Sequence, residues 1–333
     1  MYTKFYGFKI KPFEITPDPR FLYLSESHRE ALAHLTYAVR ERKGFTVITG
    51  EVGTGKTTLV QTLLSRLNGN TKTAYIFNPK LGATDFLHYI CEDLGMTHYK
   101  RSKGQYINQL HRFLLDCYSR NEGVVLIVDE AHTLDPNLLE EIRLLTNLET
   151  PKSKLLQVIL IGQPELNSIL DSSQFRQLKQ RVSLRYHLQP LNKEETKEFI
   201  QKRLRMSGAP DPEVFTPRAI QEVYRYSKGI PRLINVVCDN ALLTGYSMDQ
   251  KVIGPKIIHE VIGHMDGTGT QRKKRRFLFY SGILVVVMVF SLSFYLLWKE
   301  TFPKMTWEIR ERIQSVGKTI EKVYQDVIKN YFQ

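Results

Sequence analysis

The chain has 333 residues, 42% of them hydrophobic and 24% charged, with a formal net charge of +13 and three cysteines. That balance suits a folded core domain with a smaller satellite, and no internal repeat or long low-complexity tract argues otherwise. Cys91, Cys117 and Cys238 are too widely spaced for metal pairing and suit reduced, buried thiols of a cytosolic domain, while five of the positive charges fall together at 272–276 and leave an excess too moderate to specify acidic lipid or nucleic acid.

The first twenty residues contain no apolar run, so no export signal is expected at the front of the chain. Phe45 to Thr49 predicts a short buried strand. It runs into Gly50-Glu51-Val52-Gly53-Thr54-Gly55-Lys56-Thr57, which fits G-x-x-x-x-G-K-[ST], and from Thr58 to Leu67 the pattern is helical. A strand, a glycine loop and a helix are the context in which this motif cradles phosphates. The glycines let backbone N–H groups curl around phosphate oxygens, and the helix N-terminus adds positive potential. Lys56 is placed to reach the β- and γ-phosphates, Thr57 to put its hydroxyl on Mg²⁺, and the whole stretch from Gly50 through Thr58 to hold ATP.

Thr73 to Asn78 predicts a second strand, and Val124 to Val128 a third whose unbroken apolar run suits burial on both faces of a parallel sheet. Asp129 and Glu130 follow that third strand at its C-terminal end, where open α/β sheets bind ligands. Asp129 is expected to hold hydrated Mg²⁺ and Glu130 to polarise the attacking water. His132 is either a nucleotide or partner contact or a supporting and capping residue. Leu155 to Gln163 and Ser183 to Leu188 predict two further strands. Gln163 either touches the γ-phosphate or the water, or is a plain turn residue before Pro164.

Near the end, Arg272, Lys273, Lys274, Arg275 and Arg276 lead into Phe277 to Trp298, twenty-two residues without a charge. At ~1.5 Å per residue they span ~33 Å, enough for a hydrocarbon core of ~30 Å. One spanning helix is therefore expected, its basic flank keeping the N-terminal part in the cytoplasm. Beyond it, Ile309, Ile313, Val316, Ile320, Val323, Val327 and Tyr331 fall at spacings of three and four, a stripe on one helical face. That stripe suits an amphipathic helix on the membrane as well as a pairing helix.

Over about residues 2–265 the chain resembles the ExeA/GspA-like branch of the AAA+ ATPases, membrane-bound ATPases of the general secretion pathway. The resemblance is carried by FYGFKIKPFEITPDPRFLYLSESHREALAHLTYAV, GEVGTGKTTL, VVLIVDEAHTL, LLEEIRLLTNLE, ILIGQPEL, QLKQRVSLRYHLQPL and GIPRLIN. It implies an α/β P-loop fold with a parallel sheet in which the strand ending at Gln163 lies between the phosphate-loop strand and the Asp129 strand, making Gln163 a sensor of the γ-phosphate. It also implies a helical lid with Arg232 of GIPRLIN reaching the γ-phosphate from the side. Arg181 falls in the region of the arginine finger, with Arg176 a weaker candidate, and a finger acts on a neighbour's nucleotide, so homo-oligomers are implied.

The expected organisation is an N-terminal segment over 1–30, a nucleotide-binding core over 31–190, a lid over 191–265, a basic linker over 266–276, a transmembrane helix over 277–298 and an amphipathic tail over 299–333. Such a tail is too short for the peptidoglycan-binding domain that relatives of this type often carry. The expected function is a membrane-anchored ATPase of the inner membrane that supports an envelope secretion, pilus or exopolysaccharide system, with a partner in that membrane. The alternatives are a nucleotide-controlled scaffold with slow hydrolysis and a DNA-associated AAA+ regulator. A nucleic-acid partner is not expected, because no basic-aromatic surface stands out.

Overall fold

The computed structural model describes residues 1–14, 21–67, 69–77, 79, 81–96, 102–151, 153–211, 213–267, 286–293 and 307–324. The chain divides into two compact units, Met1–Ile262 and Gly263–Gln333. In order, the elements are α1 (Tyr2–Tyr6), α2 (Glu26–Arg40), β1 (Phe45–Gly50), α3 (Lys56–Arg66), β2 (Thr71–Ile76), α4 (Ala83–Asp93), α5 (Lys103–Ser119), β3 (Gly123–Val128), α6 (Pro136–Leu145), β4 (Glu149–Thr150), β5 (Ser153–Lys154), β6 (Gln157–Gly162), α7 (Glu165–Asp171), α8 (Arg176–Arg181), β7 (Val182–Leu188), α9 (Lys193–Met206), α10 (Pro217–Ser227), α11 (Pro231–Ser247) and α12 (Pro255–Met265).

Five strands form one parallel sheet in the order β2-β3-β6-β1-β7. β6 lies between β1 and β3, as the resemblance implied, with Val47 opposite Leu160 and Ile127 opposite Ile159. Both faces of the sheet are covered, and the alternation of side chains along each strand feeds two cores. Val124, Leu126 and Val128 of β3 pack with Phe86, Leu110, Leu139 and Leu166 from α4, α5, α6 and α7. Val125 and Ile127 point the other way and pack with Leu35, Leu59 and Leu63 from α2 and α3. Each such side chain fully removed from water contributes ~1.5–3 kcal/mol, and the central strands β3 and β6, covered on both faces, carry no polar side chain but Gln157. The β4–β5 hairpin, two residues a side, has no alternating pattern long enough to announce it in the sequence.

A separate core binds α9, α10, α11 and α12 into a helical lid around Phe199, Leu204, Val223, Val237, Leu242 and Ile258. Asn192 caps α9 through a reciprocal pair with Glu195, and Glu195 also accepts the N–H of Glu26 at 2.9 Å, so the first turn of the lid is fastened to the start of α2. The N-terminal residues pack into this lid. Tyr2, Tyr6, Phe8 and Phe13 are buried in its core, Tyr6 donates to the carbonyl of Gln250 at 2.9 Å, and Tyr2 donates to the Asp239 carboxylate.

Among the described residues no helix is long and apolar enough to cross a membrane. The span expected over 277–298 and the basic run over 272–276 lie for the greater part outside the described residues. Within them, 286–293 is helical with Val286, Val287, Met288, Val289, Phe290 and Leu292 exposed, and 307–324 is helical with Ile309, Ile313, Val316, Ile320 and Val323 exposed. The spanning helix therefore rests on sequence alone.

Candidate functional site

The phosphate loop leaves the C-terminal end of β1 and enters α3, so Gly53, Thr54 and Gly55 stand at the carboxyl edge of the sheet. Gly53 has φ 82°, and a Cβ there would lie 2.6 Å from the Cβ of Arg232. Only glycine fits both the left-handed backbone and the approach of the lid. The main-chain N–H of Arg232 donates to Gly53 O at 3.3 Å, which seats the first turn of α11 on the loop.

Lys56 is 6% exposed and folds back on the loop, its Nζ donating to the carbonyls of Gly50 at 2.8 Å and Glu51 at 3.1 Å. Burial pushes its ammonium below the usual lysine value, and the carboxylates of Glu130, Asp129, Glu51 and Glu165 oppose that shift. The cation is thus held by weak neutral acceptors that phosphate oxygens outcompete.

Asp129 is buried at the end of β3. Its Oδ2 accepts from Thr57 Oγ1 at 3.1 Å and from the phenol of Tyr75 at 3.1 Å, and its Oδ1 accepts the N–H of Glu130 at 2.8 Å. Burial and the Asp129 charge push the Tyr75 phenol far above its ordinary value, so it stays a donor. Thr57 and Asp129 come from positions 72 residues apart and supply two hard oxygens side by side. Among the described residues no cluster of three or more His, Cys, Asp or Glu forms a cage. That donor set fits Mg²⁺, which takes one or two protein oxygens and keeps water and phosphate oxygens for the rest.

Glu130 has φ 51°, unusual for a side chain other than glycine and of the kind that clusters at working sites. Its carboxylate is about half exposed and lies 3.5 Å from Nδ1 of His132. The same Nδ1 accepts the main-chain N–H of Gln163 at 3.4 Å, and on the ring's other side its Nε2 lies 2.8 Å from the Gln163 amide Nε2. His132 therefore bridges Gln163 and Glu130, a link neither spacing nor pattern foretold.

The phosphate loop, Glu130 and Arg232 line a cleft of about 550 Å³ between core and lid. Its lining includes residues 52–58 of the loop with His28, Glu130 and Arg232 beside them, and also Phe21, Leu191, Phe199, Arg203 and Asn235. Arg232 is exposed to the cleft, whereas Gln163 and Asp129 stand behind its wall. Arg181 does not line it. Its Nη1 donates to Thr146 Oγ1 at 2.8 Å, and Arg176 is exposed at the start of α8.

Residues 39–170 match an AAA domain family, AAA_22. Over 260 residues, 78% of this chain and 47% of the relative, the chain is 46% identical to General secretion pathway protein A of Aeromonas hydrophila. The AAA+ region of this chain is of the ExeA/GspA-like kind. The chain spans about half the length of that curated relative. Among solved structures, the ORC2 protein of Aeropyrum pernix in its ADPNP–ADP complexes shares the fold with TM-score 0.57 and 17% identity, covering 77% of this chain and 72% of that one. Drosophila ORC bound to DNA does so with TM-score 0.56 and 19% identity, covering 76% and 64%. At those identities the likeness is one of fold.

Within this AAA+ frame, two side chains escaped the sequence reasoning altogether. Tyr75 sits in an ordinary strand pattern, and only the pairing of β2 with β3 brings its phenol to Asp129. His28, in α2, donates from Nε2 to Thr54 O at 3.0 Å and lies 2.6 Å from Ser25 Oγ through Nδ1. Thr54 O only accepts, so the Nε2 tautomer follows, and the ring ties the cap of α2 to the phosphate loop.

Proposed function

We propose that this protein hydrolyses ATP with Mg²⁺ and is anchored in the inner membrane by residues 277–298, with the AAA+ part in the cytoplasm and the tail 299–333 in the periplasm. The observation that carries the reading is the contact of Thr57 with Asp129 at 3.1 Å, beside a phosphate loop whose lysine donates to the carbonyls of Gly50 and Glu51. Loop N–H groups and Lys56 would bind the β- and γ-phosphates. Thr57 and Asp129 would hold Mg²⁺, which would supply positive charge to offset the charge building on the phosphates. Glu130 would take the proton of the water that attacks the γ-phosphorus, leaving ADP and phosphate. Arg232 would meet the γ-phosphate from the lid, Gln163 would sense it through His132, and Arg181 would serve a neighbour's site, which makes the working form a homo-oligomer.

Similarity to a protein named for general secretion supports a role in an envelope secretion, pilus or exopolysaccharide machine, with a partner in the same membrane. The test is a pair of variants. Lys56→Ala should raise the ATP Kd about a hundredfold, since it removes a charged contact to phosphate, and Glu130→Gln should bind ATP as before while turnover falls at least about a hundredfold. Equal loss of binding in both would overturn the assigned roles. Tight binding with negligible turnover in the unmodified protein would favour a nucleotide-set scaffold.

A further inference from the structure

Three hydrogen bonds converge on the carboxylate of Asp129, which is 4% exposed. Oδ2 accepts from Thr57 Oγ1 and from the Tyr75 phenol, each at 3.1 Å, and Oδ1 accepts the N–H of Glu130 at 2.8 Å. Two of these donors have another reason to be there. Thr57 belongs to the phosphate-loop motif, and the Glu130 N–H is tied to Asp129 by the chain itself. Tyr75 has no such reason, and it lies outside the lining of the cleft. Strand pairing puts it there. β2 is an edge strand parallel to β3, with Tyr75 opposite Ile127. Paired residues share a face of the sheet, so Tyr75 stands with Ile127 on the side covered by α2 and α3, and its ring packs against the cluster that holds Leu35, Leu59 and Val60. On that same side α3 presents Thr57 to Asp129. A nearly buried carboxylate needs donors to offset its lost hydration. With two hydroxyls on one oxygen, turning the carboxylate breaks both bonds.

We propose that Tyr75 is a positioning residue of the Mg²⁺ site, its phenol holding the Asp129 carboxylate in the orientation that serves the ion. The inference rests on the reading of Thr57 and Asp129 as the residues that hold Mg²⁺, and adds to it a residue that acts through Asp129. Partners that orient a metal's ligands change its affinity by about 10- to 100-fold. The effect of Tyr75 belongs at the lower end, because its side chain is only partly buried and water takes over part of the bond when the phenol is removed. Metal-free nucleotide should not sense the change, since the loop N–H groups and Lys56 meet its phosphates directly.

The test uses the purified full chain and the non-hydrolysable analogue ADPNP, titrated by calorimetry in EDTA and over a series of free Mg²⁺ concentrations, so that the readout is binding and not turnover. In the unmodified protein Mg²⁺ should tighten ADPNP. Tyr75→Phe keeps the ring and its packing and removes only the hydroxyl. Its ADPNP Kd in EDTA should stay within about twofold, while the Mg²⁺ concentration at half-maximal tightening should rise about tenfold. Its thermal midpoint should lie within a few degrees of the unmodified value. An unchanged Mg²⁺ dependence in the variant would overturn the role of Tyr75. So would an equal loss of ADPNP with and without Mg²⁺, which would make the phenol a general support of the loop, or a variant that no longer folds, which would make it a support of the sheet. Failure of the folded, unmodified protein to bind ADPNP, or binding that ignores Mg²⁺, would instead overturn the Mg²⁺-nucleotide reading itself.

Discussion

His132 sits between the amide of Gln163 and the carboxylate of Glu130, with polar atoms at 2.8 and 3.5 Å on its two sides. A residue that holds a base without touching the nucleotide should alter turnover and spare binding. His132→Ala is therefore expected to lower kcat about tenfold with the ATP Kd within about twofold, and His132→Gln, which keeps a polar bridge, to recover part of the loss. A parallel rise in Kd would make His132 a general support of the loop. His28 offers a second residue-scale prediction. Burial holds its imidazole below the ordinary histidine value, so in the folded protein it resists protonation. The unfolded chain titrates near pH ~6.5. Between the two values the unfolded state binds more protons, so the stabilisation is complete above about pH 6.5 and is lost as pH falls through the lower, folded value. The thermal midpoint of the unmodified protein should drop more between pH 7.5 and 5 than that of His28→Gln. Identical slopes would show that the ring is not buried as a neutral group.

At the scale of elements, the junction of α11 with the phosphate loop is the place where lid and core have to meet. Gly53→Ala forces a left-handed alanine, at ~1–2 kcal/mol, and drives a Cβ to within 2.6 Å of Arg232. The expected result is an ATP Kd raised about tenfold with a thermal midpoint only a few degrees lower, because the apolar cores are untouched. Unchanged affinity would show that the lid need not seat on the loop. The turn between α8 and β7 carries a second prediction. Arg181 bonds Thr146 within its own chain and stays out of the cleft. As a finger it would act only across an interface, so Arg181→Ala should lose turnover, and mixing it with Glu130→Gln should restore some through mixed interfaces. No recovery at any ratio, with both proteins associated, would make Arg181 a structural contact to Thr146.

For the whole molecule, the proposed span over 277–298 would put the tail in the periplasm, and that placement is testable. Cys91, Cys117 and Cys238 are buried thiols, and replacing them leaves a clean background. A cysteine introduced by Ser315→Cys should react with an impermeant thiol reagent in intact cells, once any outer membrane is permeable. One introduced at the exposed Ser119 by Ser119→Cys should stay protected until the inner membrane is broken. Protection of the first until lysis would make 277–298 something other than a span.

What the sequence by itself determined is what depends on neighbours in the chain. The phosphate loop is contiguous, Asp129 and Glu130 adjoin an apolar strand, and a run of twenty-two uncharged residues carries its own hydropathy. The β3 pattern was legible because burial on both faces leaves no polar residue to confuse it. Strand ends were less so: β2 begins at Thr71 and stops at Ile76, since pairing with β3 sets its limits. Tertiary structure alone decided the contacts made between distant stretches. Tyr75 reaches Asp129 across 54 residues, Gln163 reaches His132 across 31, and Tyr2 reaches Asp239 across 237. No local period encodes such meetings. They follow from which strands pair and which helix closes over the loop, and that is settled only when the apolar faces of the whole AAA+ region are buried together.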